Sequence, residues 1–175
     1  MRAVFFDRDN TLTRDKGYCY KVSDFAWMDG AQAALARLNA AAIPVFIVTN
    51  QGGIAKGLFT RDDMQLFHDH LCAQAALSGG AIHDIAYCPH HPDAQSLNDR
   101  QCQCRKPQAG LLISLAKKWQ IDLANSVMIG DRDSDKAAGQ QAGCYSYLYD
   151  TNSNLDDLVK TVMATHFMTS NKTLS

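Results

Sequence analysis

The chain has 175 residues, enough for one ordinary domain whose core needs no disulfide staples. Apolar residues make up 46% and charged residues 20%, a composition that excludes intrinsic disorder. Seventeen Lys and Arg stand against eighteen Asp and Glu, for a net charge of −1, so the basic excess of a general nucleic-acid binder is missing.

Taken in order, the chain alternates short apolar runs with helical patterns. Ala3-Val4-Phe5-Phe6 reads as a buried strand and stops abruptly at Asp7-Arg8-Asp9. That run is too short for a secretory signal, and the longest apolar run, Ala40–Val48, is about half a membrane span and contains Pro44. The expectation is a soluble, cytoplasmic protein with no membrane or nucleic-acid partner. Residues 31–41 form a helix with Leu35 and Leu38 at helical spacing, and Pro44–Val48 a second strand. Residues 61–77 place Met64, Phe67, Leu71 and Ala75 on one helical stripe, and Ile82–Tyr87 is a third strand. Pro107 is expected at the first position of a helix whose apolar face carries Leu112, Leu115, Ala116 and Trp119. Val127–Ile129, Asp133–Ala142, Cys144–Leu148 and Leu155–Met163 then read as strand, helix, strand and helix, with a frayed tail from about Thr169. This alternation predicts an α/β fold with a doubly wound, mostly parallel sheet, in a single domain spanning 1–175.

Ligands of such sheets bind beyond the carboxyl ends of the strands, so the polar residues that follow each strand carry the chemistry. They are Asp7-Arg8-Asp9-Asn10-Thr11, Thr49-Asn50-Gln51-Gly52-Gly53, Arg105-Lys106-Pro107 and Gly130-Asp131-Arg132-Asp133-Ser134-Asp135. Asp7 and Asp9 flank one residue, and two such carboxylates repel unless a cation neutralises them or one holds a proton. With Mg²⁺ bound, one carboxylate can attack a phosphoryl group while the other handles the proton of the leaving oxygen and of the attacking water. Asp131 completes an oxygen-rich Mg²⁺ site, and Thr49 and Lys106 are placed to hold the equatorial phosphoryl oxygens.

The six cysteines divide. Cys19, Cys72 and Cys144 are scattered and read as small hydrophobes. Cys88-Pro89-His90 and Cys102-Gln103-Cys104 instead form a Cys-x-His and a Cys-x-Cys pair, the donor set of a closed, structural Zn²⁺ site. The loop between the pairs (about 88–104) is otherwise polar, with no core residues expected to hold it, so the metal would staple it and bring Arg105-Lys106 to the crevice. His91 is the alternative imidazole to His90. His68, His70, His83 and His166 are expected as exposed or satisfied surface groups.

Phe6-Asp7-Arg8-Asp9-Asn10-Thr11-Leu12 resembles the first motif of the haloacid dehalogenase-like phosphatases, Asp-x-Asp-Gly-Thr, and Thr49, Lys106 and Gly130-Asp131…Asp135 match the other three in order. The resemblance covers roughly residues 3–150. It implies a Rossmann-type fold, Asp7 as nucleophile, Asp9 as general acid/base and a Mg²⁺ ligand through its backbone carbonyl, and Asp131 as the third ligand. Asn10 stands where the family has glycine, and asparagine is among the residues that tolerate a positive φ. The short stretch between the first and second motifs implies a capless enzyme with an open site.

Within that family, Cys-x-His…Cys-x-Cys-Arg-Lys-Pro resembles two zinc-bearing branches, one acting on histidinol phosphate and the other on a heptose 1,7-bisphosphate. Thr49–Phe59, Asp15-Lys16-Gly17-Tyr18 and Cys88–Pro92 look like the heptose branch, which has Ser where Gly52 stands and Arg where Lys56 stands. The resemblance implies an enzyme that removes the 7-phosphate of a small phosphorylated sugar, on the route to ADP-heptose for lipopolysaccharide core, and a monomer is expected. It implies substrate contacts from Asp15, Lys16, Gly17, Tyr18, Thr49, Asn50, Gln51, Gly52, Arg105, Lys106 and Arg132. A receiver-like phosphoacceptor domain shares the sheet, the acids, the Thr and the Lys, but its acceptor sits alone on a strand instead of in a flanking pair.

Overall fold

The computed structural model describes residues 1–168; the frayed tail expected from Thr169 lies outside the described residues. Its core is one five-stranded sheet of β1 (Val4–Phe6), β2 (Val45–Asn50), β3 (Asp84–Cys88), β4 (Val127–Gly130) and β5 (Tyr145–Leu148). All neighbours are parallel, in the order β3-β2-β1-β4-β5. The helices are α1 (Ala31–Ala40), α2 (Arg61–Leu77), α3 (Gly110–Trp119), α4 (Asp133–Gln141) and α5 (Leu155–His166).

Residues of the three central strands β1, β2 and β4 alternate between two buried faces, which is why these strands read as continuous apolar runs. Val4, Phe6, Val45, Ile47, Val127 and Ile129 pack with Leu35 and Leu38 of α1, Leu71 of α2 and Val159 of α5. Phe5, Phe46, Val48 and Met128 pack instead against Leu111, Leu112 and Leu115 of α3 and Ala138 of α4. Truncating one of these core aromatics to alanine would cost about 3–5 kcal/mol.

Helix α2 starts where the sequence placed it because Thr60 and Asp63 form a reciprocal capping box: Asp63 N–H donates to Thr60 Oγ1 at 3.1 Å and Thr60 N–H to Asp63 Oδ2 at 2.8 Å. Two expectations are corrected. Pro107 is not at the start of α3, which begins at Gly110. The chain first turns, with Gln108 N–H donating to Arg105 C=O, while Asn50 holds both the N–H and the C=O of Lys106. Gly110 then passes so close to Gln103 C=O that a Cβ there would overlap it. His68 is the second correction: it lies on the buried stripe of α2 beside Phe67, 2% exposed.

Between β1 and β2 only a turn at Val22–Asp24 and α1 intervene. Strand β1 is the topological switch point, with successive connections running outward on either side of it, and its carboxyl end opens a crevice.

Candidate active site

Asp7 follows the last residue of β1, and its N–H donates to Ile129 C=O of β4 at 3.0 Å, so the backbone carrying this carboxylate is stitched into the sheet. Asp131 follows β4, and Asp135 sits in the first turn of α4. Gly130 permits this arrangement: a Cβ there would strike the Asp135 side chain, so only glycine lets α4 start so close to the strand end. Oxygens of Asp7, Asp131 and Asp135 lie within 4.8 Å of one another. Thr11 Oγ1 donates to Asp131 Oδ1 at 3.3 Å, and Arg132 N–H to Asp135 Oδ2 at 3.0 Å.

Lys106 enters this cluster as its counter-ion. Its ammonium lies 2.6 Å from both Asp7 Oδ1 and Asp135 Oδ1 and donates to Val48 C=O at 2.7 Å. Burial works against the charge on Lys106, yet the two carboxylates outweigh it and raise its pKa. Burial, with Asp135 and Asp9 nearby, pushes Asp7 up to about 7 despite the lysine. Burial also raises Asp131. One lysine therefore does not neutralise the site, and three close oxygen donors suit a hard divalent cation.

Asp9 is turned away from that trio. Its Oδ1 accepts from Arg8 Nε at 2.8 Å and its Oδ2 from Gln51 Nε2 at 2.8 Å. Arg8, only 1% exposed, also donates to Cys19 C=O and Gln51 Oε1 and meets His68 Nε2 at 3.2 Å, with its guanidinium over the Phe67 ring. Burial and the Arg8 charge hold His68 neutral, its pKa lowered to about 3. Thr49 is fully buried, and its hydroxyl oxygen accepts from Gln51 Nε2 at 2.8 Å.

A cavity of about 300 Å³ opens over Asp7, Asp9 and Lys106. Of the residues expected to touch substrate, Asp15, Gly17, Tyr18, Asn50, Gln51, Gly52, Arg105, Lys106 and Arg132 line it, with Thr49 buried beneath. Lys16 instead lines a neighbouring cavity with Asn10 and Asp131. His91 and Ser134 line the main cavity without having been anticipated.

The second cluster sits beyond β3. Cys88 Sγ lies 3.5 Å from Cys102 Sγ and 3.6 Å from His90 Nδ1, and His90 Nδ1 is 3.3 Å from Cys104 Sγ. All four donor atoms fall within 4.8 Å of one another. Donors around a tetrahedral zinc are separated by about 3.8 Å, so the spacing fits. The imidazole in the cluster is His90; His91 Nδ1 accepts from Asp93 N–H. Arg105 couples the two sites: its N–H donates to Cys102 Sγ at 3.3 Å and its Nη1 to His90 C=O at 2.9 Å, while its side chain lines the cavity.

The sequence reading gave Asp135 only as part of the fourth motif, His68 as a surface group, His91 as an alternative zinc ligand and Arg8 no role. Asp135 lies within the fourth motif and was legible there; His68 falls on the 64, 67, 71, 75 stripe and was legible as buried. Arg8 reads as a spacer between two acids, and nothing in the sequence places His91 in the cavity wall.

Comparison with known proteins bears on this geometry. A HAD-hydrolase-like family model matches residues 103–171. A D-glycero-beta-D-manno-heptose-1,7-bisphosphate 7-phosphatase of Rhodopseudomonas palustris is 36% identical over 162 residues, covering 92% of this chain and 89% of its own. A D-glycero-alpha-D-manno-heptose-1,7-bisphosphate 7-phosphatase of Photorhabdus laumondii is 33% identical over 82% of this chain and 79% of its own. Among solved structures, a D,D-heptose 1,7-bisphosphate phosphatase from B. bronchiseptica, complexed with magnesium and phosphate, superposes with a TM-score of 0.83 at 28% identity, covering 94% of this chain and 99% of that one.

Proposed function

The chain belongs to the haloacid dehalogenase-like family and is a phosphoric monoester hydrolase, and from that premise we propose that it removes the 7-phosphate of D-glycero-D-manno-heptose 1,7-bisphosphate through an aspartyl-phosphate on Asp7. The observation that carries the reading is a cavity with two charge requirements met. The Asp7–Lys106 pair lies at its floor, and two further cations, Arg105 and Arg132, line it for a phosphate that is not cleaved. The relatives of both anomeric specificities support the same sugar.

Lys106 holds Asp7 Oδ1, so Asp7 presents Oδ2, which accepts no hydrogen bond among the described residues, to the phosphorus. Thr49 accepts from Gln51, which leaves its own O–H to donate to an equatorial oxygen beside the Lys106 ammonium. Asp9, oriented by Arg8 and Gln51, protonates the leaving sugar oxygen and then takes a proton from the water that attacks the acyl phosphate. Mg²⁺ held by Asp7, Asp131 and the Asp9 carbonyl, with Asp135 beside them, would supply the positive charge that keeps Asp7 ionised and offsets the charge of the phosphoryl group. Cys88, His90, Cys102 and Cys104 would hold a structural Zn²⁺ that fixes Arg105.

We place the enzyme in the cytoplasm as a monomer on the route to ADP-heptose; among the described residues no helix is long and apolar enough to cross a membrane. The test is phosphate release with Mg²⁺ from heptose 1,7-bisphosphate and from histidinol phosphate, compared as kcat/KM. The expected preference for the bisphosphate is about 100-fold or more, the value of one well-placed charged contact. Preference for histidinol phosphate would refute the substrate and leave the Asp7 chemistry standing.

A further inference from the structure

We propose that the Asn10 side chain pins the Asp15–Cys19 loop to the catalytic loop and thereby sets how tightly a substrate with a second phosphate is held; the substrate part rests on the bisphosphate reading above. Asn10 has φ 58, the left-handed conformation that glycine adopts without strain, so the backbone alone would be served at least as well by glycine. The difference lies in the side chain: Asn10 Oδ1 accepts the Asp15 N–H at 2.9 Å.

That bond is the first of a series. Asp15 Oδ1 accepts from Gly17 N–H at 3.1 Å and Cys19 N–H at 2.9 Å, and Lys16 N–H reaches Cys19 Sγ at 3.4 Å. Cys19 C=O in turn accepts from the buried Arg8 at 2.9 Å. Among the described residues no amide from Asp15 to Cys19 donates to a backbone carbonyl. The loop therefore has no ladder of its own, and side chains order it from both ends. Asn10 and Arg8, the two anchors, lie in the same turn that carries Asp7 and Asp9.

What this loop presents matters for recognition. Asp15, Gly17 and Tyr18 line the main cavity, and Lys56 Nζ donates to Tyr18 Oη at 2.9 Å. A substrate that reaches only Asp7 and Lys106 does not need these groups in place. One that extends across the cavity does, and ordering a loop on binding weakens affinity.

Asn10→Gly separates the two roles of the residue, because it relieves the backbone and removes only the acceptor; Asn10→Asp keeps an acceptor oxygen. Amide hydrogen exchange of peptides spanning 11–20 is measured for wild type and both variants. KM and kcat are measured for wild type and Asn10→Gly on heptose 1,7-bisphosphate and on p-nitrophenyl phosphate. Exchange in Asn10→Gly should be about tenfold faster in this segment alone, and Asn10→Asp should restore it. KM for the bisphosphate should rise about tenfold in Asn10→Gly with kcat little changed, while KM for the aryl phosphate moves by less than about twofold. Unchanged exchange in Asn10→Gly overturns the proposal whatever the substrate. So does an equal change in KM for both substrates in an enzyme whose wild type prefers the bisphosphate. A wild type without that preference would refute the substrate reading, and the exchange result would still decide whether Asn10 pins the loop.

Discussion

The carboxylate crevice and the cysteine–histidine clip lie on opposite terms with the fold. The crevice is built from buried side chains at the ends of β1, β2 and β4 and the first turn of α4, all set by the sheet. The sheet brings Asp7, Asp131 and Asp135 together against their mutual repulsion, with Lys106 as partial compensation. The clip is the reverse: between Cys88 and Lys106 only Ala94 is buried, and the only helical segment is a turn at Leu97–Asp99. There the donors converge in a loop with little else to order it. Where the scaffold holds the donors, they serve chemistry at a cost in stability; where the donors hold the scaffold, they serve stability.

The sharpest way to break this division is at its two centres. Asp7→Asn should lower kcat by about 10⁴-fold or more, as loss of a covalent nucleophile does, without lowering the thermal midpoint of the metal-free protein. A large loss of stability would put Asp7 on the structural side. Cys102→Ser should do the opposite, costing roughly 2–4 kcal/mol of stability and the bound zinc, measured by denaturant unfolding and metal analysis. Full zinc stoichiometry in that variant would show that Cys102 is not a ligand.

Arg105 sharpens the comparison because it belongs to both regions. Arg105→Ala should reduce kcat/KM for the bisphosphate about 10- to 100-fold and leave p-nitrophenyl phosphate within about threefold. Equal losses on both substrates would make it a structural strut of the clip.

The smallest effect is a pH dependence of stability beneath the crevice. His68 is neutral in the folded protein, its pKa lowered to about 3 by burial and Arg8, while the unfolded chain protonates near 6.5. A depressed folded pKa contributes stability that is full above 6.5 and is lost as pH falls from there toward 3. The slope approaches about 1.4 kcal/mol per pH unit. Asp7, with its raised pKa, contributes the opposite slope in this window, so the readout is the difference between variants. From pH 7 to 5 the unfolding free energy of wild type should fall relative to that of His68→Gln, and parallel curves would remove His68 as the source.

Much of this was legible because burial on both faces leaves an unambiguous sequence trace. The three central strands β1, β2 and β4 are apolar runs that give way to polar residues, and those residues, Asp7, Thr49 at the end of β2 and Asp131 among them, fall at one end of the sheet. The zinc donors were legible from their pairing in sequence. What escaped depends on groups far apart in the chain. The start of α3 is decided by Asn50 and Gln103, and the burial of Arg8 by Gln51, Cys19 and His68. Asn10 shows both sides: its tolerance of positive φ was readable, whereas the bond from Asp15 was not.

The most direct test of the central claim is to trap the phosphoryl group. Asp9→Asn enzyme mixed with Mg²⁺ and a reactive aryl phosphate, quenched in acid and digested, should carry one phosphoryl group on the peptide bearing Asp7, labile to hydroxylamine. Phosphorylation at any other residue, or turnover in which Asp7→Asn performs as well as wild type, would contradict the account.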